Sequence, residues 1–415
     1  MNSLFVLNQA GDVIIEKHWR GLINRSICEV FWLAATKASS FSEVPPVIPA
    51  AGGRFHLVHL KATELWYVAA VERDESPLMV VEFLQRVDDV FKDYFKTVSE
   101  TSLKDNFVSV YQLLEEMMDN GMPFNTEPNQ LRAMIPPPGT FVDDLKDKVE
   151  GKSSSDAAQL PEGAMGAIPW RRVGVKYAAN EIYFDIIEDI DAIVDVNGQV
   201  VSSEINGRIM STCKLSGMPD LSLVFRNPRI IDDTSFHPCV RYARWEQSKI
   251  VSFVPPDGAY KLMEYRVRSQ ITFPIYVRPT VSFMDGSGKI SVVVSAKVSS
   301  DLVVEELKLV IPWDKCVSSC SLSSPNGKVD YNDRTKLATW DIGKLSTGKT
   351  LTLSGTIHLA SGVKTTNPSI EVSFKVPMFS ASGLKVESLA VHNVSYKPYK
   401  GVRAVTKAGR FQYRT

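Results

Sequence analysis

The chain has no run of about 18 consecutive apolar residues, so no transmembrane helix is expected. Its start lacks a basic segment leading into a long apolar one. Leu4–Leu7 gives way to Asn8 and Gly11, which argues against a signal peptide. Any membrane contact is therefore expected to be peripheral. Cysteine is scarce. The five present (Cys28, Cys213, Cys239, Cys316 and Cys320) are odd in number, irregular in spacing and form no C-x-x-C pair. That argues against a disulfide framework or a zinc site and fits reduced thiols in the cytosol. Six scattered histidines add no ligand cluster, and no cofactor is expected. Net charge is absent as well, with 47 Lys+Arg against 47 Asp+Glu. The balance hides an asymmetry: residues 1–138 carry 12 basic against 18 acidic groups, and residues 169–415 carry 32 against 23. A basic second half suits an anionic partner, either a membrane surface or an acidic protein; no nucleic acid is implied.

What is present is enough apolar material, 44% of 415 residues, to fill two or three cores. Ser3–Leu7 and Val13–Glu16 flank a turn and read as a hairpin, as do Phe55–Leu60 and Leu65–Val71. Phe83, Leu84, Val87, Val90, Phe91 and Tyr94 fall at helical spacing, and so do Phe107, Val110, Tyr111, Leu114, Met117 and Met118. Asn120-Gly121 with Pro123 stops the second helix. Residues 1–138 thus read as an α+β domain. Residues 139–168 hold few large apolar groups and cannot offset the entropy of ordering, so they read as a flexible linker.

From Trp170 onward the period is two. Asn197-Gly198 marks a hairpin, and short strands follow one another to the C-terminus between Pro- and Gly-rich turns. Residues 169–415 therefore predict an all-β antiparallel sandwich in two lobes. The stretch Glu181–Ile187 stands out. Alternation puts Ile182 and Phe184 on one face, and Tyr183 beside Asp185 on the other.

Several strings carry a family resemblance. They include Asn106-Phe107-Val108-x-x-Tyr111-x-Leu113-Leu114-Glu115-Glu116 in the first domain, and Trp170-Arg171-Arg172-x-Gly174-x-Lys176-Tyr177 at the start of the second. Leu215-Ser216-Gly217-Met218-Pro219, Phe253-x-Pro255-Pro256-Asp257-Gly258 and Ser382-Gly383-Leu384-Lys385-Val386 follow. Together they resemble the medium (mu) chains of adaptor complexes. Asn227-Pro228-Arg229-Ile230-Ile231-Asp232-Asp233 makes the third complex the nearest of these. The resemblance implies a longin-like N-terminal domain docking on a large adaptin, then a mu-homology domain. Its lobe A would span about 169–270 and 380–415, with lobe B, about 271–379, inserted. It also implies a heterotetramer with two large adaptins and one small sigma chain. That coat would act on the cytosolic face of Golgi and endosomal membranes and vesicles, in transport to lysosome or vacuole.

Medium chains bind cargo tails bearing Tyr-x-x-Φ, with Φ bulky and apolar, and the resemblance assigns residues to that site. Tyr183, Asp185, Thr212, Gly401 and Arg403 would form the tyrosine pocket, with Asp185 accepting from the cargo hydroxyl. Ile182, Phe184, Val386, Leu389, Lys400 and Val402 would line the Φ pocket, Lys400 through its aliphatic stem. Parity agrees, since Gly401 and Arg403 alternate with Lys400 and Val402 just as Tyr183 and Asp185 alternate with Ile182 and Phe184. Two positions depart from the family: many medium chains carry Trp where this one has Gly401, and Lys where it has Thr212. An open tyrosine pocket follows from that Gly, and the alternative reading is a structural subunit with a decayed or altered pocket.

Gly343-Lys344-Leu345-Ser346-Thr347-Gly348-Lys349-Thr350 matches the phosphate-loop string. The alternating Leu351, Leu353, Ile357 and Leu359 predict that a strand leaves it, whereas that chemistry needs a helix N-terminus. No enzymatic activity is expected.

Overall fold

The computed structural model describes residues 1–38, 43–72, 75–138, 168, 170–171, 174–269, 271–284, 286–359 and 366–415. The linker expected over 139–168 lies outside them except for its last residue. The chain divides into two compact units, Met1–Arg172 and Val173–Thr415.

The first unit is built on a five-stranded antiparallel sheet of β1 (Ser3–Leu7), β2 (Val13–His18), β3 (Val47–Ala50), β4 (Phe55–Ala62) and β5 (Leu65–Val71), ordered β2-β1-β5-β4-β3. β1 and β5 are buried at every residue, because the sheet is covered on both faces. Leu4, Val6, Tyr67 and Ala69 join a cluster with α2 (Pro77–Phe95) and α4 (Phe107–Met117). Phe5, Leu7, Trp66 and Val68 join a second cluster with Ile27, Cys28 and Phe31 of α1 (Ile27–Lys37). A strand buried on both sides must be apolar at consecutive positions rather than alternate ones, as these are. The short α3 (Glu100–Asp105) opens on a capping box made by Ser99 and Ser102. A two-residue hairpin, β6 (Met118–Asp119) and β7 (Met122–Pro123), and α5 (Pro128–Met134) complete the unit. The α+β expectation holds, and α1, α3 and α5 add to the two helices read from the sequence.

The second unit is nearly all β. In chain order it runs β8 (Glu181–Val194), β9 (Val200–Lys214), β10 (Asp220–Phe225), β11 (Asp233–Phe236), a short helix α6 (Tyr242–Ser248), β12 (Ile250–Phe253) and β13 (Gly258–Val267). Then follow β14 (Ile275–Met284), β15 (Ser287–Ala296), β16 (Val303–Pro312), β17 (Val317–Ser323), β18 (Lys328–Asn332), β19 (Leu337–Ser346), β20 (Thr350–Leu359) and β21 (Ser369–Pro377). β22 (Val386–His392) and β23 (Tyr399–Arg414) close the chain.

Nine of these strands form one sheet, β11-β13-β9-β8-β23-β21-β16-β19-β18. Smaller sheets β14-β15-β20-β17 and β12-β10-β22 complete the unit. β23 is the joint of the large sheet, pairing β8 on one side and β21 on the other. The wholly antiparallel expectation needs one correction: β23 runs parallel to β8. A parallel neighbour requires a long crossover, and here everything from β9 to β22 supplies it.

The phosphate-loop string is strand–turn–strand. Gly343–Ser346 belongs to β19 and Thr350 opens β20, so no helix follows the turn. Lys344 instead pairs with Glu305 at 2.9 Å.

Candidate functional site

β8 alternates intermediate and buried positions along its whole length. Register on both sides turns its open face into a grid. β23 sets Tyr399 opposite Glu181, Gly401 opposite Tyr183, and Arg403 opposite Asp185. β9 sets Lys214, Thr212 and Met210 opposite the same three residues. Gly401, Tyr183 and Thr212 thus form one row, and Arg403, Asp185 and Met210 the next. All five residues expected to form the tyrosine pocket lie in these two rows.

Arg403 grips Asp185 with both prongs, Nε to Oδ1 at 2.8 Å and Nη2 to Oδ2 at 3.0 Å. Those hydrogen bonds and the carboxylate charge raise the Arg403 pKa above its usual range. The pair lies in the open, with the Arg403 side chain 65% exposed.

Tyr183 is tied on its own strand. Its hydroxyl donates to Glu181 Oε2 at 3.0 Å, and Lys214 Nζ donates to Oε1 of the same carboxylate at 3.2 Å. The Glu181 hydrogen bond is the main reason the phenol is pushed up from its ordinary value. The Tyr183 hydroxyl and then Lys214 hold Glu181 down. The ring also packs against Tyr399, centroids 5.6 Å apart. It lies so close over Gly401 that a Cβ there would meet Cδ1 at 2.5 Å. The expectation of an open space beside Gly401 is corrected accordingly: the chain's own Tyr183 ring covers it.

The second group of expected residues divides. Ile182 and Phe184 are fully buried on the core face of β8, and Phe184 packs edge-on against Phe253 at 6.4 Å. They present no surface to a ligand. Val386 and Leu389 are half-buried on β22, at the edge of the three-stranded sheet. Lys400 reaches from β23 to that strand, its Nζ donating to the Leu389 carbonyl at 2.6 Å. Val402 is 38% exposed. Of the residues expected at the Φ pocket, Val386, Leu389, Lys400 and Val402 thus reach the surface, whereas Ile182 and Phe184 lie beneath the sheet.

Sequence reading assigned no role to Glu181, Lys214 or Tyr399. Period two already puts Glu181 on the face of Tyr183 and Asp185, so that signal was available. Lys214 and Tyr399 enter only through cross-strand register.

One edge is open. β21 accompanies β23 only from Val405 onward. Along Tyr399–Ala404, the side of β23 away from β8 carries no strand among the described residues. An extended segment can add there by main-chain hydrogen bonds.

The chain thus joins an α+β unit to an all-β unit built on a mixed nine-stranded sheet. The sequence pattern of the "Adaptor complexes medium subunit family" matches residues 168–415, and that of the "Clathrin adaptor complex small chain" matches residues 1–136. The chain is 46% identical over 425 residues to the AP-3 complex subunit mu of Dictyostelium discoideum, with both chains fully covered. It is 44% identical over 421 residues to the AP-3 complex subunit mu-1 of Homo sapiens, again with both fully covered. Among known structures, the fold resembles a chain of "Homology model of the full-length AP-3 complex in an intermediate open conformation". The TM-score is 0.62 at 16% identity, covering 100% of this chain and 99% of that one. The chain belongs to the adaptor complexes medium subunit family. It is an adaptor subunit and not an enzyme.

Proposed function

We propose that this medium subunit works in a heterotetrameric complex of the AP-3 type, with two large adaptins and one small sigma chain, and reads Tyr-x-x-Φ signals in the tails of membrane cargo. Residues 1–138 dock on a large adaptin, 139–168 tether, and 169–415 bind cargo. The complex lies on the cytosolic face of Golgi and endosomal membranes, against anionic lipid, and serves transport to lysosome or vacuole. The observation that carries the cargo reading is the open edge of Tyr399–Ala404, flanked by Asp185 and Arg403 on one face and Val402 and Leu389 on the other. The cargo backbone adds to that edge, its tyrosine hydroxyl donates to Asp185, and its Φ side chain enters between β22 and β23. Phosphorylated tyrosine is refused because its charge meets Asp185.

A second reading, a structural subunit with an altered pocket, is favoured by one specific observation. The Tyr183 ring covers Gly401, and Asp185 and Arg403 already satisfy each other. Calorimetric titration of the full chain with a Tyr-x-x-Leu peptide separates the two. The cargo reading expects binding that is lost when the peptide tyrosine becomes Ala and weakened by Asp185→Ala; equal heats throughout would end it. For the assembly, two large chains and one small chain are expected to co-purify with the protein.

A further inference from the structure

Glu188 is the one charged position on the buried face of β8, and it has zero exposure. No Lys, Arg or His among the described residues forms an ion pair with it. Its carboxylate is instead surrounded by neutral donors. The Tyr265 hydroxyl donates to Oε1 at 2.9 Å, and the Ser380 hydroxyl to the same oxygen at 3.0 Å. Ser382 donates twice, its hydroxyl to Oε1 at 2.5 Å and its backbone N–H to Oε2 at 3.1 Å. Four donors converge on the two carboxyl oxygens as acceptors, and an amide in their place would turn an N–H₂ toward those donors.

The fold makes room for this arrangement. Gly207 lies opposite Glu188 on β9, and Tyr265 lies opposite Gly207 on β13. A Cβ at Gly207 would fall 2.2 Å from the Tyr265 ring, so the glycine lets the tyrosine cross a whole strand to reach the carboxylate. On the other side, Thr406 of β23 lies opposite Glu188. Its hydroxyl donates to the Phe379 carbonyl at 2.9 Å and accepts from the Ala381 N–H at 3.2 Å. Residues 379–382 are thus held on β8 and β23 together, just after β21 ends.

The constraint passes directly into β22. The Leu384 N–H donates to Ser382 Oγ at 3.0 Å, the Arg226 N–H donates to the Lys385 carbonyl at 2.9 Å, and Val386 then pairs with Phe225. Val386 and Leu389 form the β22 wall of the proposed Φ pocket, four and seven residues beyond the anchored Ser382. We propose that Glu188 is a positioning residue for cargo selection: through Ser382 it fixes where β22 stands relative to β23, and so sets the width of the Φ pocket. This rests on the cargo reading above. Glu188 touches no cargo, and Asp185, three residues earlier on the opposite face, does.

The test uses the full chain carrying Glu188→Gln, which keeps size and puts an N–H₂ where donors converge. Two readouts are taken. Amide hydrogen exchange over Leu384–His392 is expected to rise while exchange in α2 of the first unit stays unchanged. Affinity for a Tyr-x-x-Leu peptide is expected to fall about tenfold, but for Tyr-x-x-Ala by less than about twofold, because only the Φ contact is lost. Equal weakening of both peptides, or unchanged exchange in β22 of a folded variant, would overturn the proposal. If the unmutated chain binds neither peptide, the cargo reading fails, and the exchange measurement alone decides whether Glu188 anchors β22. Should Glu188→Gln not fold, Ser382→Ala leaves the carboxylate its other donors and is expected to give the same pattern at smaller amplitude.

Discussion

Two carboxylates three residues apart on β8 live under opposite rules. Asp185 faces outward and meets a full charge, the guanidinium of Arg403. Glu188 faces inward and meets only hydroxyls and one N–H. In water a charge pair is screened and costs little to break, so Asp185 is available for exchange: a ligand hydroxyl can replace part of what Arg403 supplies. Inside, the carboxylate has no water to fall back on, and every donor it loses leaves a buried group unpaired. One strand thus carries a group that can change partners and a group that cannot. The open face can exchange partners, and the buried face is held in place.

That contrast is broken most severely on the buried face. Phe184→Ala removes a fully buried ring packed against Phe253 and is expected to cost about 3–5 kcal/mol of stability. Denaturant unfolding of the full chain, followed through the transition of the second unit, measures it. A loss below about 1 kcal/mol would mean that the site, rather than the core, owns this residue. Gly207→Ala comes next. Its methyl would collide with the Tyr265 ring that reaches Glu188, and overpacking of this kind costs about 1–3 kcal/mol. The same change also tests pH behaviour. Burial, and then Glu188, push the Tyr265 phenol well above its ordinary value. A tyrosine held neutral in this way contributes stability that is fully present below the unfolded value of about 10 and is lost as pH rises toward the folded one. Gly207→Ala is therefore expected to flatten the alkaline decline in stability as well as lower the neutral plateau.

On the open face the effects move from stability to binding. Asp185→Ala releases Arg403 into solvent, where it is already mostly exposed, so the unfolding midpoint is expected to stay where it is. Peptide affinity is expected to fall about tenfold when the cargo tyrosine loses its acceptor. A large shift in the midpoint with no change in affinity would invert the contrast, making Asp185 structural.

The difference between the faces also explains what the sequence could disclose. Alternation in Glu181–Ile187 sorted the side chains of β8 into two sets correctly, since parity is local. It did not disclose which set would be covered. That depends on a second layer, and Phe253, which covers Phe184, lies nearly seventy residues away. The Asn197-Gly198 turn was legible because its residues close the bend themselves, and the Gly198 N–H reaches the Asp195 carbonyl at 3.0 Å. The parallel pairing of β8 with β23 was not, because nothing in either strand encodes the direction of a partner two hundred residues distant. α1 escaped notice for a related reason. Ile27, Cys28 and Phe31 are buried and Trp32, Ala34 and Ala35 pack partly against the same cluster, while Val30 and Leu33 remain exposed, so no clean apolar stripe marks the helix. At the site, family motifs supplied Tyr183, Asp185 and Arg403. Tyr183 lying over Gly401 is a packing outcome that no motif contains.

Gly401→Ala gives the mildest and most diagnostic perturbation. The added methyl would sit 2.5 Å from Tyr183 Cδ1, and the ring is free to turn outward because it lies on the open face. Turning breaks the hydroxyl's bond to Glu181, the chief cause of the raised phenol, so the Tyr183 titration is expected to move down toward the ordinary value of about 10. Ring-carbon NMR of labelled tyrosine, with Tyr183→Phe to assign the signal, follows it. If cargo tyrosine must displace this ring to reach Asp185, a ring already displaced binds more readily, and affinity is expected to rise about threefold. A fall of that size would show that the Tyr183 ring, in the position it holds over Gly401, is itself the surface on which the cargo ring stacks. A moved titration with unchanged affinity would separate the aromatic wall from binding altogether and leave the Asp185–Arg403 pair as the reading element of the open face.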